Sequence, residues 1–423
     1  MYTEVQLDTL VGPTHHFAGL SLGNIASMDN KGIISSPKKA ALQGLEKMNV
    51  VMELGIPQAF FPPQKRPDLS FLKRVGFETV ASAYDKCPEL LLAAFSSSFM
   101  WTANVATSTP SLDTLDSKHH ITPANLGSNL HRHLEVLDTT RMFQQLMANP
   151  DYFVLHAALP SVRQLFDEGA ANHTRLSPTA DTQGLHLFVY GDQTQHFAPR
   201  QAKLASESIA RLHQLPKERV LILEQNPEVI DEGVFHNDVI SVGHLNLFLA
   251  HEKTFKNKGA FDLIASTYHD LYQQHPLLHI VSEKDLPLQK AIKTYFFNSQ
   301  ILSLPFGRRA LLAPQECSED AEVKSYIEKL PYFSQVRYIS LNESMKNGGG
   351  PACLRLRLLL NNLEQKMIPN CFWMDPTRSR LIGDLIEKYY PDTLSIDQLK
   401  DKSFLEQIAH TYIMLEQLFE KLR

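Results

Sequence analysis

The stretch Asn347-Gly348-Gly349-Gly350-Pro351-Ala352-Cys353 sets a cysteine behind three consecutive glycines. An alternating run, Leu354-Arg355-Leu356-Arg357-Leu358, follows it. Glycine loses more backbone freedom on folding than any other residue. Three in a row make sense where the chain must take positive φ or come very close to a ligand. The run that follows alternates as a strand, and Val336 to Leu341 before the glycines also reads as one. Cys353 therefore lies at a loop-to-strand junction, where function concentrates. It reads either as a small buried hydrophobe, as most free cysteines are, or as a nucleophile. Cys87, Cys317 and Cys371 have no such approach and read as packing residues.

A second group is Gly233-Val234-Phe235-His236-Asn237-Asp238. On an extended strand His236 and Asp238 would point to one face. The histidine could relay protons near neutral pH, and the carboxylate could grip a cation. The plainer reading is a turn that uses His, Asn and Asp as loop formers. The third group is Asp167-Glu168-Gly169, an acidic pair before glycine that carries little by itself.

Together these residue types suit one chemistry. A guanidinium carbon is a poor electrophile with poor leaving groups. A thiolate attacks it when carboxylates hold the cation in place and a histidine protonates the departing ammonia and activates water. A papain-like acyl transferase would want an oxyanion hole and no carboxylate clamp. The sequence has no Gly-x-Ser-x-Gly elbow, no GxGxxG and no phosphate-binding loop. His15-His16, His119-His120 and His131-Arg132-His133 are the only hints of metal binding. Neighbouring histidines point in different directions, and no HExxH accompanies them.

Elements that would carry these groups alternate between helix and strand. Residues 37–54 read as a helix with Ser36 as N-cap, Pro37 in the first turn and Gly55 at the stop; Ala41, Leu45, Met48 and Met52 form its stripe. Residues 200–215 read likewise, followed by a short strand from Val220 to Leu223. Leu185 to Tyr190 alternates as a strand. Asp238 to Val242 and Leu245 to Ala250 read as a hairpin turning at Gly243-His244, and Gln300 to Leu304 with Arg309 to Leu312 as another around Pro305-Phe306-Gly307. Phe404, Ile408, Tyr412, Leu415, Phe419 and Leu422 mark a long amphipathic C-terminal helix, read as a packed element with a dimer contact as the alternative. Asp231-Glu232-Gly233 echoes Asp167-Glu168-Gly169 64 residues on (232 − 168). With the recurring hairpins and helices this suggests a repeated β-rich module with helices outside.

Composition narrows the function class. The 423 residues are 43% hydrophobic and 21% charged, with net charge −5 and no basic run. That is ordinary globular composition and indicates neither nucleic acid nor an anionic membrane. No apolar stretch reaches the roughly 18 residues of a spanning helix, and the N-terminus does not read as a signal peptide. Four scattered cysteines without a CxxC pair fit reduced thiols in a cytosol.

The chain resembles the N-succinylarginine dihydrolase family almost end to end, less clearly after about Asp375. The resemblance rests on the blocks Leu10-Val11-Gly12-Pro13-Thr14-His15-His16-Phe17-Ala18-Gly19-Leu20-Ser21, Met100-Trp101-Thr102-Ala103-Asn104, Asp167 to His173, Gly233 to Ile240 and Asn347 to Arg357. It implies an α/β fold, the five-bladed pseudosymmetric α/β propeller of the guanidine-modifying (pentein) superfamily. One catalytic domain would span 1–423, with residues 380–423 a helical extension. It implies hydrolysis of N2-succinyl-L-arginine to N2-succinyl-L-ornithine, carbon dioxide and two ammonia without metal or other cofactor, in the cytoplasm. Carried over by motif, Cys353 is the nucleophile, and His236 and Glu168 are the other catalytic residues. Substrate contacts are implied at Ala18, Gly19, Leu20, Ser21, Leu22, Gly23, Asn24, Ile25, Ala26 and Ser27. Further contacts are implied at Asn104, His131, Arg132, Arg200, Asp238 and Asn347. Asp238 suits the guanidinium, and Arg132 and Arg200 suit the succinyl and α-carboxylates. A homodimer is a further expectation. The rival expectations are a single-round iminohydrolase, a non-catalytic binder of acylated amino acids, and a metal-dependent amidohydrolase.

Overall fold

In the computed structural model, which describes residues 1–422, the strands form five separate three-stranded sheets. In chain order these are β1 (Tyr2–Thr9), β2 (Gln58–Phe61), β3 (Ala106–Thr109), β4 (His119–Pro123), β5 (Phe153–Leu155), β6 (His173–Leu176), β7 (Leu185–Tyr190), β8 (Val220–Glu224), β9 (Ser241–His244), β10 (Leu247–His251), β11 (Leu277–Val281), β12 (Gln300–Ser303), β13 (Arg309–Pro314), β14 (Gln335–Ile339) and β15 (Arg355–Asn361). Every sheet has one plan. A first strand pairs antiparallel with a second, and the second pairs parallel with a third. Parallel neighbours need a crossover. Helices Pro37–Glu53, Val136–Leu146, Lys203–Leu212, Ala260–Tyr272 and Ala321–Lys329 lie in the five crossovers. In the first sheet the first strand is β15, so the end of the chain pairs with its beginning and the five blades close on themselves. This is the five-fold α/β plan expected of the sequence.

Alternation on the closing blade separates core from axis. Val5 and Leu7 on β1, with Leu356, Leu358 and Leu360 on β15, enter one apolar cluster. Glu4 and Gln6 of β1 and Arg357 of β15 face the other way. There Glu4 meets His244 of β9 and Ser303 of β12, and Gln6 meets Gln300 of β12. A strand places alternate side chains on opposite faces, so the same alternation that fills the blade turns charged residues toward the other sheets.

The expected helix at 37–54 is observed as Pro37–Glu53, with Ser36 Oγ accepting from Lys39 N and Gly55 at positive φ after it. The helix expected at 200–215 is shorter, Lys203–Leu212. The C-terminal stripe packs within the chain: Phe404, Ile408, Tyr412 and Leu415 are buried, and Tyr412 Oη donates to Gln64 O (2.8 Å). One hairpin differs from its expectation. The turn is at Leu245-Asn246, with Leu245 at φ 52°, and not at Gly243-His244. Gly243 is inside β9, where any Cβ would collide with Thr174 of the neighbouring blade. The glycine serves a close strand approach, which sequence reading mistakes for a turn. The shift also removes Asp238 from the strand: Asn237–Val239 is a 3-10 turn. Among the described residues no helix is long and apolar enough to cross a membrane.

Candidate active site

Each blade's first strand is preceded by a short turn, and the five turns meet. They carry Ala103-Asn104 before β3, Ala171-Asn172 before β6, His236-Asn237 before β9, Phe297-Asn298 before β12 and Ala352-Cys353 before β15. Adjacent turns are joined around the ring. Ala103 N donates to Cys353 O (3.0 Å), and Asn237 N donates to Asn172 Oδ1 (3.0 Å). Asn298 Nδ2 donates to Asp238 O (3.3 Å), and Ala352 N donates to Asn298 O (2.9 Å). The fifth junction is a close approach: a Cβ on Gly169 would lie 2.8 Å from Asn104 O. Four of the turns carry an asparagine, at the end of the 3-10 turn in three and at its start in the turn before β9, and the fifth carries Cys353.

Cys353 is 2% exposed. Its Sγ donates to Asp238 Oδ2 (3.4 Å) and accepts from Asn298 Nδ2 (3.1 Å), while Asn298 Oδ1 accepts from Cys353 N (3.1 Å). Burial and the Asp238 carboxylate push the thiol well above its ordinary range, against the amide of Asn298. Burial likewise raises Asp238 to about 6. Asp238 Oδ1 and Asn104 Oδ1 are buried acceptors without a partner among the described residues. A guanidinium has donors but no acceptor and matches such atoms.

His236 Nε2 lies 3.1 Å from Glu168 Oε2, and Asn104 Nδ2 donates to its Nδ1 (3.3 Å). With the amide donating to Nδ1, the neutral ring carries its proton on Nε2, toward the carboxylate. Burial pulls His236 down to about 4, opposed by Glu168. Glu168 is fully buried; although burial would raise its pKa, Arg132 and His236 hold it well below the ordinary carboxylate range. Ser128 Oγ donates to its Oε1 (2.5 Å), Arg132 Nη1 pairs with its Oε2, and its backbone N donates to Gln201 Oε1 (2.8 Å).

The N-terminal segment lies across this cluster. Asn24 caps the short helix Ile25–Asp29, with Oδ1 accepting from Ser27 N, and its Nδ2 donates to Asn347 O (2.8 Å). Arg200 Nη2 donates to Leu22 O (2.6 Å), and its guanidinium stacks 4.6 Å from the Phe235 ring. A Cβ on Gly233 would lie 2.6 Å from the Ile25 side chain. Leu22, in contrast, is exposed, so its carbonyl and not its side chain meets the cluster. His131 is buried, and its pKa is lowered to about 3 by burial together with the Arg132 and Arg200 charges.

The structure thus gathers Cys353, His236, Glu168, Asp238, Asn104, His131, Arg132, Arg200, Asn347 and the 18–27 segment. Arg132 differs from its expectation in one respect: one guanidinium edge is committed to Glu168. The glycine run is packed. Only Gly348 has positive φ (79°), and a Cβ there would strike Asn24 and Tyr295. On Gly349 a Cβ would strike Trp101, and on Gly350 it would lie 2.7 Å from Asn298 Oδ1. Sequence reading missed Asn298, Ser128, Gln201 and Tyr295. For Asn298 a signal exists, the small-or-aromatic residue plus asparagine before four of the five first strands; for the others none does.

The family profile described as succinylarginine dihydrolase matches residues 1–422. N-succinylarginine dihydrolases from Burkholderia ambifaria (strain MC40-6) and Idiomarina loihiensis are 43% and 42% identical, each over 96% of this chain and 94% of their own length. The one from Shewanella denitrificans is 42% identical over 95% and 94%. Among solved structures, the product-bound N-terminal domain of ArgZ, an arginine dihydrolase from cyanobacteria, superposes with a TM-score of 0.54. It has 16% identity and covers 84% of this chain and 97% of its own. AgrE bound to ornithine and NAD+ also gives 0.54, with 16% identity over 84% of this chain and 39% of its own. These two likenesses concern the fold. The profile and the curated relatives show that the chain belongs to the succinylarginine dihydrolase family.

Proposed function

We propose that this member of the succinylarginine dihydrolase family hydrolyses N2-succinyl-L-arginine and two waters to N2-succinyl-L-ornithine, carbon dioxide and two ammonia. The observation that carries this reading is the contact of Cys353 Sγ with Asp238 Oδ2 at 3.4 Å, beside the His236–Glu168 pair. A thiol held against a carboxylate is a poor arrangement for ester or amide chemistry, since the carboxylate opposes thiolate formation. It suits a substrate that brings its own cation. A guanidinium stays protonated through the neutral range. Paired with Asp238, it would neutralise the charge that suppresses Cys353 ionisation and place its carbon beside the sulfur.

The roles follow. Cys353 attacks the guanidinium carbon. His236, held through Nε2 by Glu168, receives at Nδ1 the proton that the Cys353 thiol gives up, hands it to departing ammonia, and then takes one from water. Hydrolysis of the thiouronium gives a ureido group, and a second round releases the second ammonia and carbon dioxide. Ser128, Gln201 and Arg132 hold Glu168 ionised and in place. Arg200 and the free edge of Arg132 receive the carboxylates. The four cysteines are free thiols, which supports a reducing compartment such as the cytosol.

The test is ammonia counted per mole of substrate, with succinylarginine and free arginine side by side. Two equivalents from succinylarginine, with free arginine much poorer, is the expected result. One equivalent makes the protein a single-round iminohydrolase. Turnover undiminished in Cys353→Ser removes the covalent role.

A further inference from the structure

Asp238 also borders a cavity of about 580 Å³ whose lining includes neither Arg132 nor Arg200. Asp238 and Ala352, the residue before the nucleophile, are on its wall, as are the exposed Met1 and Pro305. Its charges are mostly settled. Arg357 pairs with Glu4 (3.1 Å) and donates to Gly243 O and Ile301 O. Arg175 forks onto Asp113. Arg355 is the exception: it forms no ion pair among the described residues, and its Nε is buried without a partner. Asn237, also on the wall, has a buried Nδ2 without a partner.

A guanidinium in this setting is costly. Burial and the neighbouring Arg357 charge pull Arg355 down to about 9, opposed by Glu4 and Asp238. Once Asp238 is engaged by a substrate cation, that opposition is spent on the substrate. We propose that this cavity is a second binding site, for a small planar oxyanion, with Arg355 as its charged anchor. The fork of a guanidinium matches two oxygens of such an anion. Resting on the reaction proposed above, the occupant is hydrogen carbonate, formed from the released carbon dioxide by CO2 + H2O → HCO3⁻ + H⁺. Succinylornithine would still fill the site while this product is held in the cavity beside Asp238. Product would therefore act on turnover without displacing substrate.

The experiment has one binding arm and one kinetic arm. In ¹³C NMR, wild-type protein broadens the resonance of labelled hydrogen carbonate without any substrate present, and Arg355→Gln shows at least about tenfold weaker broadening. In ammonia-release assays hydrogen carbonate inhibits noncompetitively toward succinylarginine in the wild type and at least about tenfold less in Arg355→Gln, with Arg355→Lys between them. Competitive inhibition, or equal broadening in Arg355→Gln, overturns the proposal. Should Arg355→Gln not fold, bromide-soaked wild-type crystals decide: an anomalous peak on Arg355 supports the site, and peaks on Arg132 or Arg200 alone refute it. The NMR and diffraction readouts need no turnover. A two-ammonia stoichiometry could thus stand while the anion site fails, or the reverse.

Discussion

Asn298→Ala should slow the enzyme by a predictable amount, because one side-chain amide holds Cys353 from both ends. Nδ2 donates to Sγ and Oδ1 accepts from the Cys353 backbone N, each at 3.1 Å. The donor matters most when the sulfur is charged. A hydrogen bond to a charged group contributes roughly 1.5 to 3 kcal/mol, which is about 10- to 150-fold in rate. The loss should fall on kcat more than KM, since Asn298 lies under the nucleophile and not against the succinyl end. It should also raise the thiol's pKa further, because the amide is the main group opposing burial and Asp238. The assay is ammonia release against pH, paired with the pH dependence of iodoacetamide alkylation. The alkylation curve should move to higher pH together with the activity loss. The variant also strands a buried backbone N–H, so thermal stability is measured alongside. An alkylation curve that stays put while kcat falls would show that Asn298 only packs, and would refute the argument.

Four further outcomes follow from the same geometry. Asp238 titrates near 6 and must be ionised to hold a cation, so kcat/KM should fall as pH drops through about 6; Asp238→Asn should lose both most activity and that limb. Arg200→Lys keeps charge but loses its fork and its stacking on Phe235, and should raise KM for succinylarginine with little change in kcat. Gly349→Ala would drive a methyl into Trp101, whose Nε1 donates to Ser344 Oγ (3.1 Å); overpacking costs about 1–3 kcal/mol, read as a lower melting temperature and reduced kcat. Asp167 is fully buried and raised to about 7 by burial. The folded state prefers its protonated form, so that stability contribution is present below the ordinary carboxylate range and lost as pH rises to about 7. Asp167→Asn should lack this slope, and urea melts at pH 5 and pH 8 would show it.

Much of this was legible in residue types. The triple glycine pointed to Cys353, and the motif blocks to His236, Glu168 and Asp238. The structure shows why the glycines are there: Asn24, Trp101 and Asn298 occupy the space their side chains would need. What misled was strand alternation applied to His236 and Asp238. They sit at a 3-10 turn, Asn237–Val239, as the plainer turn reading has it, and the hairpin's first strand starts at Ser241. The Asp-Glu-Gly echo fails in both position and chemistry: Gly169 opens the 3-10 turn before β6, whereas Gly233 follows the end of the helix Pro227–Asp231. Both glycines take positive φ, but Glu168 is buried in the site while Glu232 is exposed and bonded to Gln289. Ser128, Gln201 and Tyr295 carry no pattern at all, because their place beside the site depends on contacts between distant segments.

The asparagines give the repeat a stronger reading. Asn104, Asn172 and Asn298 each end the 3-10 turn before a first strand, Asn237 opens the one before β9, and Cys353 stands in the turn before β15. A buried amide offers both a donor and an acceptor. Three of the four use it across a blade junction or on a catalytic group: Asn104 on His236, Asn172 on Asn237 N, and Asn298 on Cys353. Side-chain amides thus bridge two of the five junctions and reach both His236 and Cys353. The nucleophile is therefore held by the amide of the neighbouring turn. Substitution of an asparagine should thus be felt most at the next junction: Asn298→Ala at Cys353 itself, and Asn172→Ala at the turn bearing His236 and Asp238.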